Sequence, residues 1–206
     1  VSPRYGEGFG RRPDVLSYPA DVLAFAVKKT TSFHVSEEHW DNPLLIQTGM
    51  PRRELDNLRS GWDLVLDIDA KDWEISRLTA FLFVQALRQC GVNGISVKFS
   101  GNKGWHVGVP FSAFPPVIFD GENKELQTKN LFPELPRAIA TYLIRRIGDP
   151  KCGLVKVDGN TILFGGKVKD TFERFAARVG KSRDDLLERW CPACAKGISS
   201  DERYGF

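Results

Sequence analysis

The run DLVLDID at residues 63–69 alternates apolar and acidic positions with period two, and few other patterns restrict a chain so tightly. Period two is the side-chain period of a β-strand, so Leu64, Leu66 and Ile68 face a core while Asp67 and Asp69 leave the opposite side. A helix follows. Asp72 is its expected N-cap, Glu74 adds negative charge to the first turn, and Ile75, Leu78, Leu82 and Ala86 form one stripe until Gly91 ends it. Residues 94–99 (GISVKF) alternate again, with Ile95, Val97 and Phe99 inward and Ser96, Lys98 and Ser100 outward. After a Gly-Asn-Lys-Gly bend, WHVGV sends Trp105, Val107 and Val109 to one side and His106 to the other. The expected unit is strand, helix, hairpin.

The 206 residues, 42% of them hydrophobic, suffice for a proper core, so one domain with a small appendage is expected. In the first sixty residues, turn signals (EGFG, RRPD, NPLL) surround a short helix from Pro19 to Lys29, with Val22, Leu23, Phe25 and Ala26 at helical spacing. PRAIATYLIRRIG reads as a helix entered through Pro136 and ended by Gly148. In LVKVDGNTILF, Asp158-Gly159 lies between two alternating runs and signals a hairpin. The tail, 167–195, combines a polar helical pattern with a CPAC. The fold class is therefore α+β (α/β), a mixed or antiparallel sheet flanked by helices. The main domain is expected at 1–166 and a helical or zinc-knuckle-like segment at 167–206.

A formal charge of +3 is compatible with phosphate-bearing partners without demonstrating them, and the doublets Arg11-Arg12, Lys28-Lys29, Arg52-Arg53 and Arg145-Arg146 are scattered as solvated surface would be. No run of about 18 apolar residues exists to span a bilayer, and VSPRYGEGFGRRPD does not resemble a signal peptide. The expectation is a soluble, cytoplasmic protein with no membrane partner.

Asp67 and Asp69, two apart on a strand, lie about 6.6 Å apart along the backbone and leave one face. Two carboxylates so placed can converge on Mg²⁺ or Mn²⁺, and paired ions about 3.5–4 Å apart clamp the attacking and leaving oxygens of a phosphoryl transfer. The plain alternative is the polar side of an exposed antiparallel strand. The flanking LVLDI is too apolar for a strand lying free in water, and two like charges on one face cost stability unless something positive neutralises them. If the three strands are neighbours, Asp67, Asp69, Lys98, Ser100 and His106 share that face. Gly101 and Gly104 permit a tight path that exposes N–H groups, which with Ser100 and Lys103 make a donor-rich concavity for phosphate oxygens. Taken singly, His106 reads as a surface histidine and SGNK as an ordinary turn. Together they favour a shared polyphosphate site.

Four cysteines with a CxxC at 191–194 suit a reducing compartment and a metal site better than a disulfide framework. Cys191 and Cys194 are candidate zinc ligands and Cys152 a third. Structural zinc normally needs four ligands, and no fourth is evident, so zinc and no zinc both stay open. Cys90, closing a helix, is expected to be a small buried hydrophobe.

At DLVLDIDAKD and KFSGNKGWHVGV, separated by one helix, the sequence resembles the archaeo-eukaryotic primase superfamily, most of all the small catalytic subunit of archaeal DNA primase and its primase-polymerase relatives. SFHVSEEHWDNP and Trp62 resemble the lead-in more loosely, and the likeness covers about residues 5–115. The resemblance implies a primase-like core in which Asp67 and Asp69 bind two catalytic divalent ions while Ser100, Lys103 and His106 contact the phosphates of the incoming nucleotide. It further implies template-directed nucleotidyl transfer on single-stranded DNA from nucleoside triphosphates, with a large primase subunit or a replication or CRISPR-type partner. A zinc module near the core is common in the superfamily. The pattern also includes a third carboxylate on a later strand. Asp158 is the candidate by strand context, but its DG setting reads as a turn aspartate, and the ligand otherwise lies outside these residues. Two other functions remain beside this one: a noncatalytic nucleotide- or strand-binding module, and a two-metal nuclease, which the phosphate-cradling loop disfavours.

Overall fold

A computed structural model of the chain describes residues 16–182. They form two compact units, one comprising the residues up to Asp63 together with Phe114–Phe132, the other Leu64–Ala113 and the residues from Pro133 on.

In the first unit, α1 (Pro19–Val27) forms where the periodicity predicts it, yet none of its residues is buried. Strand β1 (Glu38–Trp40) pairs antiparallel with β2 (Arg59–Trp62), which follows directly on α2 (Arg52–Leu58). Trp62 anchors the packing. Its ring is fully buried, 5.0 Å from Phe114 and 6.5 Å from Phe132 between centroids, and its Nε1–H donates to the Thr128 carbonyl at 3.0 Å. Beside it, Arg59 is 3% exposed and fully engaged. Its Nη2 lies 2.7 Å from Glu38 Oε1, Nη1 pairs with Asp56, and the guanidinium stands 5.3 Å over Trp40 and 5.7 Å over Phe132. The hairpin β6 (Val117–Phe119) and β7 (Glu125–Gln127) turns on Asp120, whose Oδ1 accepts from the N–H groups of Glu122 and Lys124, both at 2.9 Å. Those two bonds favour the ionised form and hold the Asp120 carboxyl below its ordinary range.

In the second unit, β3 (Leu64–Ile68), α3 (Trp73–Gln89), β4 (Ser96–Phe99) and β5 (Trp105–Val109) form the expected strand–helix–hairpin. The sheet order is β3-β5-β4 and both pairings are antiparallel. Strands β3 and β4 therefore run parallel but do not touch, because β5 fills the gap between them, a split β-α-β arrangement. Leu64, Leu66, Ile68, Val107 and Val109 are buried as their alternation predicts. Val97 on the edge strand β4 is predicted inward, yet it stays 50% exposed, because an edge strand has a neighbour on one side only.

Asp72 caps α3, its Oδ1 accepting from the Ile75 N–H at 2.9 Å. The buried stripe of α3 runs through Ser76, Ala80, Phe83 and Leu87 as well as Leu82 and Ala86, rotated from the predicted one, since α3 packs against both β5 and α4 (Glu134–Gly148). A serine is tolerated in that stripe because its Oγ accepts from the Ala70 N–H at 3.0 Å. Cys90 is exposed rather than buried: α3 ends at Gln89 and Cys90 is its C-cap, where the chain turns away.

Strands β8 (Val155–Asp158), β9 (Thr161–Phe164) and β10 (Val168–Thr171) form an antiparallel meander. Asp158 pairs with Thr161, so the two-residue loop is Gly159-Asn160, one position later than the Asp-Gly signal suggests. Part of the predicted polar helical tail is strand β10, followed by α5 (Phe172–Val179), which covers the Ile162 and Phe164 face through Phe172 and Phe175. All strand pairs among the described residues are antiparallel, and the chain is α+β. No helix among the described residues is long and apolar enough to cross a membrane.

Candidate functional site

The site is built on the open face of β3-β5-β4. Cα pairing sets Asp67 opposite His106, and His106 opposite Lys98, so three strands contribute one side chain each to a single row across the sheet. His106 Nε2 lies 3.4 Å from Asp67 Oδ1, with the two side chains 33% and 72% exposed. Asp69 is two residues beyond Asp67, past the end of β3, and is exposed. Neither aspartate pairs with an arginine or lysine among the described residues. Asp67 has the His106 imidazole beside it, and Asp69 is exposed two residues on.

The SGNKG loop closes the same end of the sheet. Ser100 and Gly104 bond reciprocally: the Ser100 N–H donates to the Gly104 carbonyl at 3.0 Å, and the Gly104 N–H donates to Ser100 Oγ at 3.1 Å. Gly101 takes φ 102°, open to glycine and strained for other residues. A Cβ on Gly104 would meet the Ile68 carbonyl oxygen at 2.7 Å and Ser100 Oγ at 3.1 Å, so a side chain here would push the loop off β3. The loop is thereby held against the strand that carries the acids. Ser100 is exposed and Lys103 half-exposed on it.

The structure thus brings Asp67, His106 and Lys98 into one row, while Asp69 and Ser100 lie just past the ends of β3 and β4 and are exposed. Lys98, which alternation places on this face without giving it a role, is set beside His106 by the strand register. Asp158 stands apart, exposed at the end of β8 in the other sheet of this unit.

The donor set can be tested against a divalent ion. Mg²⁺ keeps several waters and takes one or two protein carboxylates when substrate phosphates complete its shell, which suits Asp67 and Asp69 as they stand. No group of three or more His, Cys, Asp or Glu side chains among the described residues could hold an ion unaided. Asp67, Asp69 and His106 together do not form such a group.

The zinc reading rests on Cys191 and Cys194, which lie outside the described residues. Cys152 is half-buried at the end of a 3₁₀ turn, Pro150–Cys152, and its carbonyl accepts from Gln89 Nε2 at 3.2 Å. The nearby Arg146 guanidinium is held above its ordinary pKa, first by its bond to the Tyr142 hydroxyl at 3.2 Å and then by charge on Cys90, Tyr142 and Cys152. No family model, no curated protein and no solved structure matches the chain.

Proposed function

We propose that this chain carries a primase-like, template-directed nucleotidyltransferase site that uses Mg²⁺ or Mn²⁺ and nucleoside triphosphates to make or extend a primer on single-stranded DNA. The observation that carries the reading is the cross-strand row of Asp67, His106 and Lys98, with exposed Asp69 and the Ser100–Gly104 loop at the same end of the sheet. Asp67 and Asp69 would hold the ion, which supplies positive charge to a phosphoryl group under attack by a hydroxyl. His106, beside Asp67, and Lys103, in the loop, would donate to phosphate oxygens, and Ser100 with the neighbouring backbone would orient them. The expected partners are a single-stranded template and a large primase subunit or another replication or CRISPR-type protein.

A second reading is supported by the lack of a third carboxylate near the pair among the described residues. On it, the chain binds nucleotide or single strands and does no chemistry. One experiment separates the two: incorporation of labelled ribo- and deoxyribonucleotides on a single-stranded template with Mg²⁺ or Mn²⁺. Synthesis that is lost in Asp67→Ala and Asp69→Ala supports the first reading. Nucleotide binding without extension under any divalent ion supports the second. Degradation of labelled DNA without added nucleotide supports a two-metal nuclease instead.

A further inference from the structure

Strand β4 ends the sheet β3-β5-β4 and pairs on one side only, with β5. In an antiparallel ladder, successive residues turn their N–H and C=O groups alternately to the neighbour and to the open side. The bond from the Ser100 N–H to the Gly104 carbonyl, at 3.0 Å, fixes the phase. Ser96 and Lys98 therefore bond to β5, opposite Gly108 and His106, while Val97 and Phe99 turn their N–H and C=O groups outward. All four residues of β4 are exposed, and no strand among the described residues pairs with that outer edge.

The side chains along this edge differ by face. Val97 and Phe99, 50% and 42% exposed, lie on the side that carries Val107 and Trp105, and the Phe99 ring meets that of Trp73, itself 40% exposed, at 5.1 Å. Lys98 lies on the other side, opposite His106, and pairs with no carboxylate among the described residues. An open row of backbone donors and acceptors is matched by an extended peptide, which carries the complementary row. Such a strand sets two apolar side chains beside Val97 and Phe99 and, between them, one side chain beside Lys98. Apolar pairs and opposite charges are the favourable neighbours across two strands, so the middle side chain is acidic. A second copy of β4 fits less well, because the register that joins the outward groups of Val97 and Phe99 to those of Phe99 and Val97 sets Lys98 against Lys98.

We infer that the free edge of β4 is a docking site for an extended partner peptide with an apolar, acidic, apolar pattern, which adds a fourth strand to the sheet. This docking does not rest on the nucleotidyl transfer proposed above. The peptide's acidic residue extends the row of Asp67, His106 and Lys98 by one strand, since each member of that row faces the next across the sheet.

The test is fluorescence anisotropy of a fluorescein-labelled peptide, Gly-Thr-Ile-Glu-Phe-Thr-Gly, titrated with the full chain. The peptide should bind. N-methylation of its Ile and Phe, whose N–H groups face β4, should weaken binding by about tenfold or more, whereas N-methylation of its Glu, whose N–H faces away, should change it by less than about threefold. Replacing that Glu with Lys should weaken binding by about three- to tenfold, and Lys98→Glu should reverse the preference. Val97→Pro, which removes one outward N–H and leaves the bonds to β5, should weaken binding by about three- to tenfold in a chain that thermal melting shows to be folded. If Val97→Pro does not fold, the reversal in Lys98→Glu decides. No binding, equal binding of the doubly N-methylated peptide, or indifference to the sign of the central charge overturns the inference. So does a dimer of the peptide-free chain in sedimentation velocity that Val97→Pro dissolves, which would seat a second copy on the edge.

Discussion

Two pairs of acids in this chain meet opposite fates. Glu38 and Asp56, in the first unit, converge on Arg59, a guanidinium almost wholly buried and roofed by Trp40 and Phe132. Asp67 and Asp69, in the second, stand on an open sheet face with no guanidinium or ammonium partner among the described residues. In the first pair the negative charge is matched within the fold, so those acids are bound up with stability. In the second the charge is unmatched and accessible, as it must be if an external cation is to complete it. The difference assigns the first pair to structure and leaves the second available for chemistry.

The largest effect that would sharpen this contrast lies in the second pair. Asp67→Ala or Asp69→Ala should reduce divalent-dependent incorporation by about a thousandfold or more, since the metal's charge stabilisation amounts to several kcal/mol. Stability to urea should change by less than about 0.5 kcal/mol, as at other exposed sites. A large loss of stability would instead make these acids structural.

Arg59→Ala should act in the opposite sense. Removing the guanidinium leaves Glu38 without this partner and Asp56 with only Arg52 at 3.7 Å, and strips two ring contacts, a loss of about 3–5 kcal/mol by denaturant titration. A near-neutral result would dissolve the distinction between the pairs. Gly104→Ala comes next: the clash with the Ile68 carbonyl should cost about 1–3 kcal/mol and weaken nucleotide binding by displacing the loop. Ser76→Ala, which leaves the Ala70 N–H without its side-chain acceptor, should cost about 1–2 kcal/mol in the same titration.

The smallest effect concerns Asp120. Its folded-state pKa is depressed by backbone N–H bonds, so its contribution is present above the ordinary aspartate value and lost as pH falls through the lower folded one. Asp120→Asn should therefore lower stability slightly at neutral pH and converge with the parent in acid. A gap that widens on acidification would contradict that sign.

The second unit was legible where side-chain period and capping chemistry agree. DLVLDID and WHVGV specify β3 and β5 with their buried faces, the Asp72 cap marks the start of α3 though its buried stripe is rotated, and the outward alternation groups Asp67, His106 and Lys98. Period two specifies faces but not neighbours, so the central position of β5 emerged only from the structure. The first unit was mostly illegible. Strands β1 and β6 are three residues each, too short for alternation to register, and β2 follows α2 without a turn residue between them. Strand β10 was hidden because VKDT offers a single apolar residue, and its neighbour across the sheet, β9, supplies the buried side chains. Cys90 misled because a stripe position at a helix terminus is buried only if the chain continues along the same axis, and here it turns away.

The claim on which the account turns is that Asp67, Asp69, His106 and Ser100 surround one cation-and-polyphosphate site. Paramagnetic broadening of backbone amide resonances by Mn²⁺, measured with and without a nucleoside triphosphate, tests it directly. Broadening should centre on residues 67–69 and 106, extend to 100–104 and strengthen when the triphosphate is present. Broadening centred on another group of carboxylates, or at these residues but indifferent to triphosphate, would contradict it.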